Sequence, residues 1–188
     1  MNKAFIILGG IILLVGIYVW TTYNKLISAN EAIDSQWAQV ETQYQRRFDL
    51  IPNLVGSVKG VMAQEQKIFG DLADARSRYA NASETSQKAE AATQVEGALS
   101  RLLVIMENYP ELKSSENVQT LMAQLEGTEN RISVERKRYN DVVQSFNVTI
   151  KRFPANMIAH QLGYSERNYF EAETGTEKAP TVDLLQDK

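Results

Sequence analysis

Between Leu26 and Tyr79 apolar side chains return every seven residues, and that recurrence limits what the chain can fold into more than any other property of it. One row reads Leu26, Ile33, Val40, Arg47, Leu54, Val61, Ile68 and Ala75; the row four residues later reads Asn30, Trp37, Tyr44, Ile51, Val58, Glu65, Leu72 and Tyr79. Spacings that alternate between three and four keep side chains on one helix face, so the stretch is helix with a seam that needs a partner. A third row, Phe48, Val55, Met62 and Phe69, widens the seam into a face suited to a bundle core rather than a two-stranded coil.

The pattern stops at the polar group Asn81 to Ser86, which reads as a loop. A further helix carries Val95, Leu99, Leu102, Leu103 and Met106 on one face and ends before Pro110, because a residue preceding proline is pushed out of helical geometry. Ser114 or Ser115 is placed to cap the last helix, with Glu116 in its first turn. The seam of that helix is Val118, Leu121, Leu125, Ile132, Tyr139, Val142, Phe146 and Phe153; Gly127 weakens it and Pro154 closes it. The expected fold is all-α: an N-terminal transmembrane helix, then an up-and-down antiparallel bundle of long helices in four segments, then an irregular C-terminal tail. The corresponding boundaries are residues 1–23, 24–154 and 155–188.

Pro52 interrupts the first stretch. Inside a helix it removes a donor and its ring clashes with the preceding turn, at about 3 kcal/mol, and Gly56 and Gly60 add about 1 kcal/mol each. Two structures remain open. The heptad register passes through Pro52 without a slip, as in one long kinked helix. Alternatively Asp49 caps a new helix with Pro52 in its first turn, and this break is favoured because it gives segments closer in length to the later helices.

The run Ala4 to Trp20 is uninterruptedly apolar, flanked by Lys3 and Lys25. Extended to Tyr23 it reaches about 20 residues, or roughly 30 Å of helix, the thickness of a bilayer's hydrocarbon core. Tyr18, Trp20 and Tyr23 gather at its far end, where amphipathic rings favour the headgroup layer. The run is long for a cleaved signal peptide and no Ala-x-Ala site follows, so residues 4–23 are expected to stay in the bilayer as a single-pass anchor. Lys3 and the amino terminus outweigh Lys25, which puts the N-terminus in the cytoplasm and the bundle on the extracytoplasmic side of the cell (inner) membrane.

Chemistry is sparse by comparison. With a net charge of -3, all of it in the tail from Ala155 onward, the chain offers no field for nucleic acid, and Arg136, Lys137 and Arg138 beside Glu135 and Asp141 read as a solvated helix face. Cysteine is absent and His160 is the sole histidine, so thiolate zinc sites, bridged two-metal sites built on Glu-x-x-His pairs and Ser-His-Asp sets all lack their parts. No phosphate or dinucleotide loop pattern occurs. No catalytic residue, cofactor, metal or small-molecule substrate is therefore expected. Charges that interrupt the seams are more telling: Arg47, Glu65 and Glu135 fall on core rows, and a buried charge must be paired or must reach the rim. Arg46 or Arg47 is expected to pair with Asp49 or with a carboxylate near Glu129, fixing helix register. The alternative is that Arg46, Arg47, Asp49, Pro52 and Asn53 form an exposed partner-binding corner.

The run Arg46-Arg47-Phe48-Asp49-Leu50-Ile51-Pro52-Asn53-Leu54-Val55, followed by Val58, Lys59 and Gly60, resembles the signature of the LemA family. So do Glu107 to Lys113, Glu129-Asn130-Arg131-Ile132, Tyr139-Asn140, Phe153-Pro154 and Tyr169-Phe170-Glu171-Ala172, in family order across nearly the whole chain; Phe48 departs from it where tyrosine is as common. The resemblance implies a bacterial membrane protein with an anchored bundle of four helices. It supplies no activity, though it implies an association with membrane proteases of the HtpX type and envelope stress.

Aromatic residues Tyr164, Tyr169 and Phe170 are expected to pack back on the bundle, with Val182, Leu184 and Leu185 as a short docking segment in an otherwise mobile end. The function expected is a non-enzymatic, membrane-anchored scaffold or adaptor acting through a protein partner or a second copy of itself. The alternatives are an accessory subunit of a membrane protease and an enzyme with carboxylate-based hydrolytic chemistry. A scaffold calls for an exposed apolar patch, whereas an enzyme calls for a pocket with convergent ionisable groups.

Overall fold

The structure, a computed structural model, describes residues 3–170, and all regular secondary structure among them is helical. Expectations placed on Glu171, Ala172, Val182, Leu184 and Leu185 lie outside the described residues. The first helix, α1 (Lys3–Val58), is 56 residues long, or about 84 Å. Its apolar start, Phe5 to Trp20, is exposed along its whole length, and by length and composition α1 is the one helix among the described residues able to cross a membrane. Burial begins at Thr22 and Leu26 and then follows both heptad rows: Ile33, Trp37, Val40, Tyr44, Arg47, Ile51, Leu54 and Val58, joined by Phe48 from the third.

The expected break at Pro52 is corrected, and with it the cap at Asp49: α1 runs through both residues. Pro52 is exposed between buried Ile51 and Leu54. The missing donor thus falls on the solvated side, while the opposite face of the same turn packs into the core. That burial outweighs the local cost. The chain turns instead over residues 59–65, around Gly60, where the Met62 and Val61 amides bond the Val58 carbonyl at 3.0 and 3.1 Å. Within the turn Met62, from the third row, enters the core while Val61 stays exposed, and α2 then resumes the two original rows.

Helix α2 (Gln66–Asn81) descends from this corner, burying Ile68, Leu72, Ala75 and Tyr79, and α3 (Thr85–Met106) returns beside it. The short α4 (Pro110–Lys113) leads into α5 (Glu116–Lys151). Ser115 holds the N-cap position of α5, but its side chain makes no capping bond. Arg47 meets Glu129 and Trp37 meets Tyr139, so α5 runs antiparallel along α1, and α1, α2, α3 and α5 form an up-down-up-down bundle. Of the seam expected for α5, Val118, Leu125, Ile132, Tyr139 and Phe146 are buried, while Leu121 and Val142 are half-buried. Phe153 is corrected outright: it lies past the end of α5 and is 79% exposed.

A second correction concerns the tail. Residues Ala155–Gln161 form a helix, α6, which packs on both α1 and α5 through Ala155, Ile158 and Ala159. It ends in a Schellman turn: the Gly163 amide bonds the His160 carbonyl at 3.1 Å, and the Tyr164 amide bonds that of Ala159 at 3.0 Å. Gly163 sits at φ +73°, a conformation that costs glycine little. From there residues 164–170 run as an irregular strap back along the bundle. Phe170 is buried and Tyr164 meets Phe146 edge-on at 5.6 Å, whereas Tyr169 remains 47% exposed.

Candidate functional site

Charged side chains gather where α1, α3 and α5 meet. The heptad row that buries α1 also turns Arg47 inward, and Tyr44 sits one turn earlier on the same face. Glu129 and Arg136 lie two turns apart on α5, and Glu96 faces them from α3. Arg47 pairs with Glu129 and stands 3.7 Å from Glu96 Oε1; Arg136 Nη1 is 3.4 Å from Glu96 Oε2, and the Tyr44 hydroxyl donates to Glu96 Oε1 at 3.2 Å. Beneath the cluster the Arg136 guanidinium lies over the Phe170 ring, 4.1 Å from its centre. The strap thus closes the polar layer from below.

The cluster is graded from inside to outside. Arg47 and Glu96 side chains are 8% and 12% exposed, Arg136 20%, and Glu129 48%. Burial pushes the Glu96 carboxyl above its usual range; the neighbouring Arg136 charge opposes that shift and Glu129 adds to it. Burial likewise raises the Tyr44 phenol, and the Glu96 carboxylate raises it further. Each charge is answered by another within the layer, and the pairs join three helices. Among the described residues no group of side chains could hold a metal ion.

Of the candidate corner residues Arg46, Arg47, Asp49, Pro52 and Asn53, only Arg47 joins this layer, and its partner there is Glu129 rather than Asp49. Arg46, Asp49, Pro52 and Asn53 lie on the solvated side of α1, where Asp49 accepts a bond from Gln45 at 2.8 Å and the Asn53 carbonyl accepts one from Ser57 at 2.8 Å. The other charges on core rows also find partners: Glu65 accepts from Tyr109, and Glu135 accepts from Gln36 at 2.7 Å and from Arg138. Sequence reasoning missed Tyr44, Glu96, Arg136 and Phe170 as members of the cluster. One signal was available for two members of the layer: counting back by sevens from Ile150 and Val143, both buried, reaches Arg136 and then Glu129.

Outward from Arg47 and Glu129, towards the corner farthest from the apolar start of α1, α3, α4 and α5 leave an open groove of about 710 Å³. Leu103, Met106, Leu112, Val118 and Met122 line it, with Glu107, Lys113 and Glu126 at its rim. Its lining is apolar and carries no convergent set of acid, base and nucleophile.

A model of the LemA family matches residues 36–184, a span that takes in the charged layer, the groove and the strap. Magnetosome protein MamQ 2 of Paramagnetospirillum magneticum is 26% identical over 192 aligned residues, covering 88% of this chain and 71% of the relative. Magnetosome protein MamQ of Magnetospirillum gryphiswaldense is 25% identical over the same shares of both chains. Protein LemA of Metamycoplasma hominis is 24% identical, covering 92% of this chain and 80% of its own length.

Proposed function

This chain belongs to the LemA family, and on that premise we propose that it is a membrane-anchored helical scaffold that presents its bundle to other proteins of the cell envelope. Residues 1–23 act as the anchor, residues 24–154 as the presented body on the extracytoplasmic side, and the contact is made by protein rather than by a small substrate. One observation supports this reading most: the groove between α3, α4 and α5 leaves Leu103 and Met122 partly open over buried Met106, at the end of the bundle remote from the apolar stretch. Methionine and leucine in an open groove with a charged rim suit a helix or loop of a partner. The ionisable groups inside the bundle, by contrast, are occupied with one another.

A photo-crosslinking residue placed at Met122, in intact membranes, tests the proposal. It is expected to capture one recurrent neighbour, to lose it when Leu103→Asp is added, and to capture none from Ser133 on the solvated side of α5. Capture that is equal from both positions, or that survives Leu103→Asp, overturns it.

A further inference from the structure

Among the described residues no large apolar side chain is more exposed than Phe153, at 79%, and Met157 beside it is 65% exposed. Both sit where α5 gives way to α6, and the bundle geometry fixes how high that corner stands. Facing residues on the antiparallel pair step by ten on each helix, from Arg47 with Glu129 to Trp37 with Tyr139. The same step places Lys151 level with about residue 25 of α1, so Phe153 lies level with about residue 23. Independent of that count, Thr22 and Leu26 are the first α1 side chains to be buried, and α6 is an element packed on α1. The corner therefore stands beside Tyr23 and Trp20, where the apolar stretch of α1 gives out.

We propose that Phe153 and Met157 form a second contact with lipid, a foot seated in the headgroup layer beside the emerging α1. The inference rests on the reading that residues 4–23 span the bilayer. An aromatic ring and a thioether exposed together in water form an unexplained apolar patch, whereas at the edge of the hydrocarbon they match what an interfacial segment carries. The surrounding charges suit the same surface. Lys25 and Arg152 are exposed at this level, and Lys151 is paired with Glu166, which leaves the local balance positive beside anionic headgroups. Phe153 and Met157 are the most exposed large apolar side chains near this level outside the stretch itself; Val148, 38% exposed, lies about a turn farther from the stretch, and Val61, Val104 and Val134 lie farther along the bundle.

The chain has no cysteine, so single cysteines can carry a spin label without further change. Phe153→Cys and Met157→Cys, with Val15→Cys and Val134→Cys as references, are labelled in the full chain in phosphatidylcholine vesicles containing phosphatidylglycerol. Collision with oxygen, which enters lipid, is compared with collision with a water-soluble nickel chelate. Positions 153 and 157 are expected to favour oxygen, as position 15 does, and position 134 to favour the chelate. If position 15 favours oxygen while 153 or 157 favours the chelate, the foot is wrong and the anchor stands. Low collision with both reagents at 153 and 157, as a second copy seated there would give, also overturns it. A chelate-favouring result at position 15 overturns the anchor, and the foot falls with it.

Discussion

Asn147 holds Arg167 by both backbone groups: its side-chain amide donates to the Arg167 carbonyl at 2.9 Å, and its side-chain oxygen accepts the Arg167 N–H at 2.9 Å. Two turns earlier on α5, Asn140 grips Phe170 in the same way, at 3.0 and 2.7 Å. Asparagine alone among uncharged side chains of its size offers a donor and an acceptor side by side. The pair therefore imitates a sheet partner for the irregular strap and delivers Phe170 onto Trp37 and under Arg136.

Asn140→Ala and Asn147→Ala are each expected to lower stability by about 1–3 kcal/mol, since a truncated amide leaves two partly buried backbone groups without a partner. Asn140→Ala should also change the emission of Trp37, whose ring stacks on Phe170 at 6.0 Å. Denaturant titration of the full chain in detergent, followed by fluorescence, reads both; unchanged emission would show that the strap is held by something other than this grip.

Arg47 and Glu129 form one pair with unequal consequences. Arg47→Ala leaves buried Glu96 with one cation fewer and is expected to cost about 3 kcal/mol. Glu129 is half in solvent and Arg47 keeps Glu96, so Glu129→Gln is expected to cost less than about 1 kcal/mol. Equal losses in the same titration would mean that the layer acts as a simple surface pair.

The raised Glu96 carboxyl predicts a pH dependence with a definite sign. Its folded value lies above its unfolded one, so the native state holds the proton longer, and the stabilisation specific to Glu96 is present at low pH and declines as pH rises through the folded value. The stability of the unaltered chain minus that of Glu96→Gln should therefore shrink as pH rises from about 4 to 8. A difference that grows with pH would show that Arg136 and Arg47 overcome burial.

Pro52 is exposed within α1. Pro52→Ala restores a donor to the Phe48 carbonyl and is expected to raise stability by about 1–3 kcal/mol, less what the freer unfolded chain takes back. A melting temperature that falls on this substitution would mean that the helix needs the bend.

The architecture was readable because heptad spacing survives any disagreement about where a helix stops: Leu26, Trp37, Leu54 and Leu72 are buried whichever side of the corner they fall on. The corner itself was misplaced because the local cost of Pro52 is visible in sequence while the burial of Ile51 and Leu54 that offsets it is tertiary. Helix α6 was missed although Ala155, Ile158, Ala159 and Leu162 have helical spacing, since alanines and seven residues make a faint pattern. In the charged layer, Arg47 announced itself by interrupting an apolar row, and a carboxylate near Glu129 was the partner anticipated. Glu96 did not, because it sits on the flank of the α3 face, beside Val95, where a charge breaks no pattern. The two asparagine grips likewise leave no mark in composition or period.

Because α1 crosses from its apolar start to the far corner without a joint, whatever leans the apolar end also swings the tip. From Leu26 to Val58 the lever is about 50 Å long, so a lean of about 10° carries the groove's end through about 9 Å. Where residues 4–23 span a bilayer, a mismatch between their length and the lipid thickness is one source of such a lean. An anchor of that kind, without any moving part of its own, would turn the depth of the surrounding oil into a position in space.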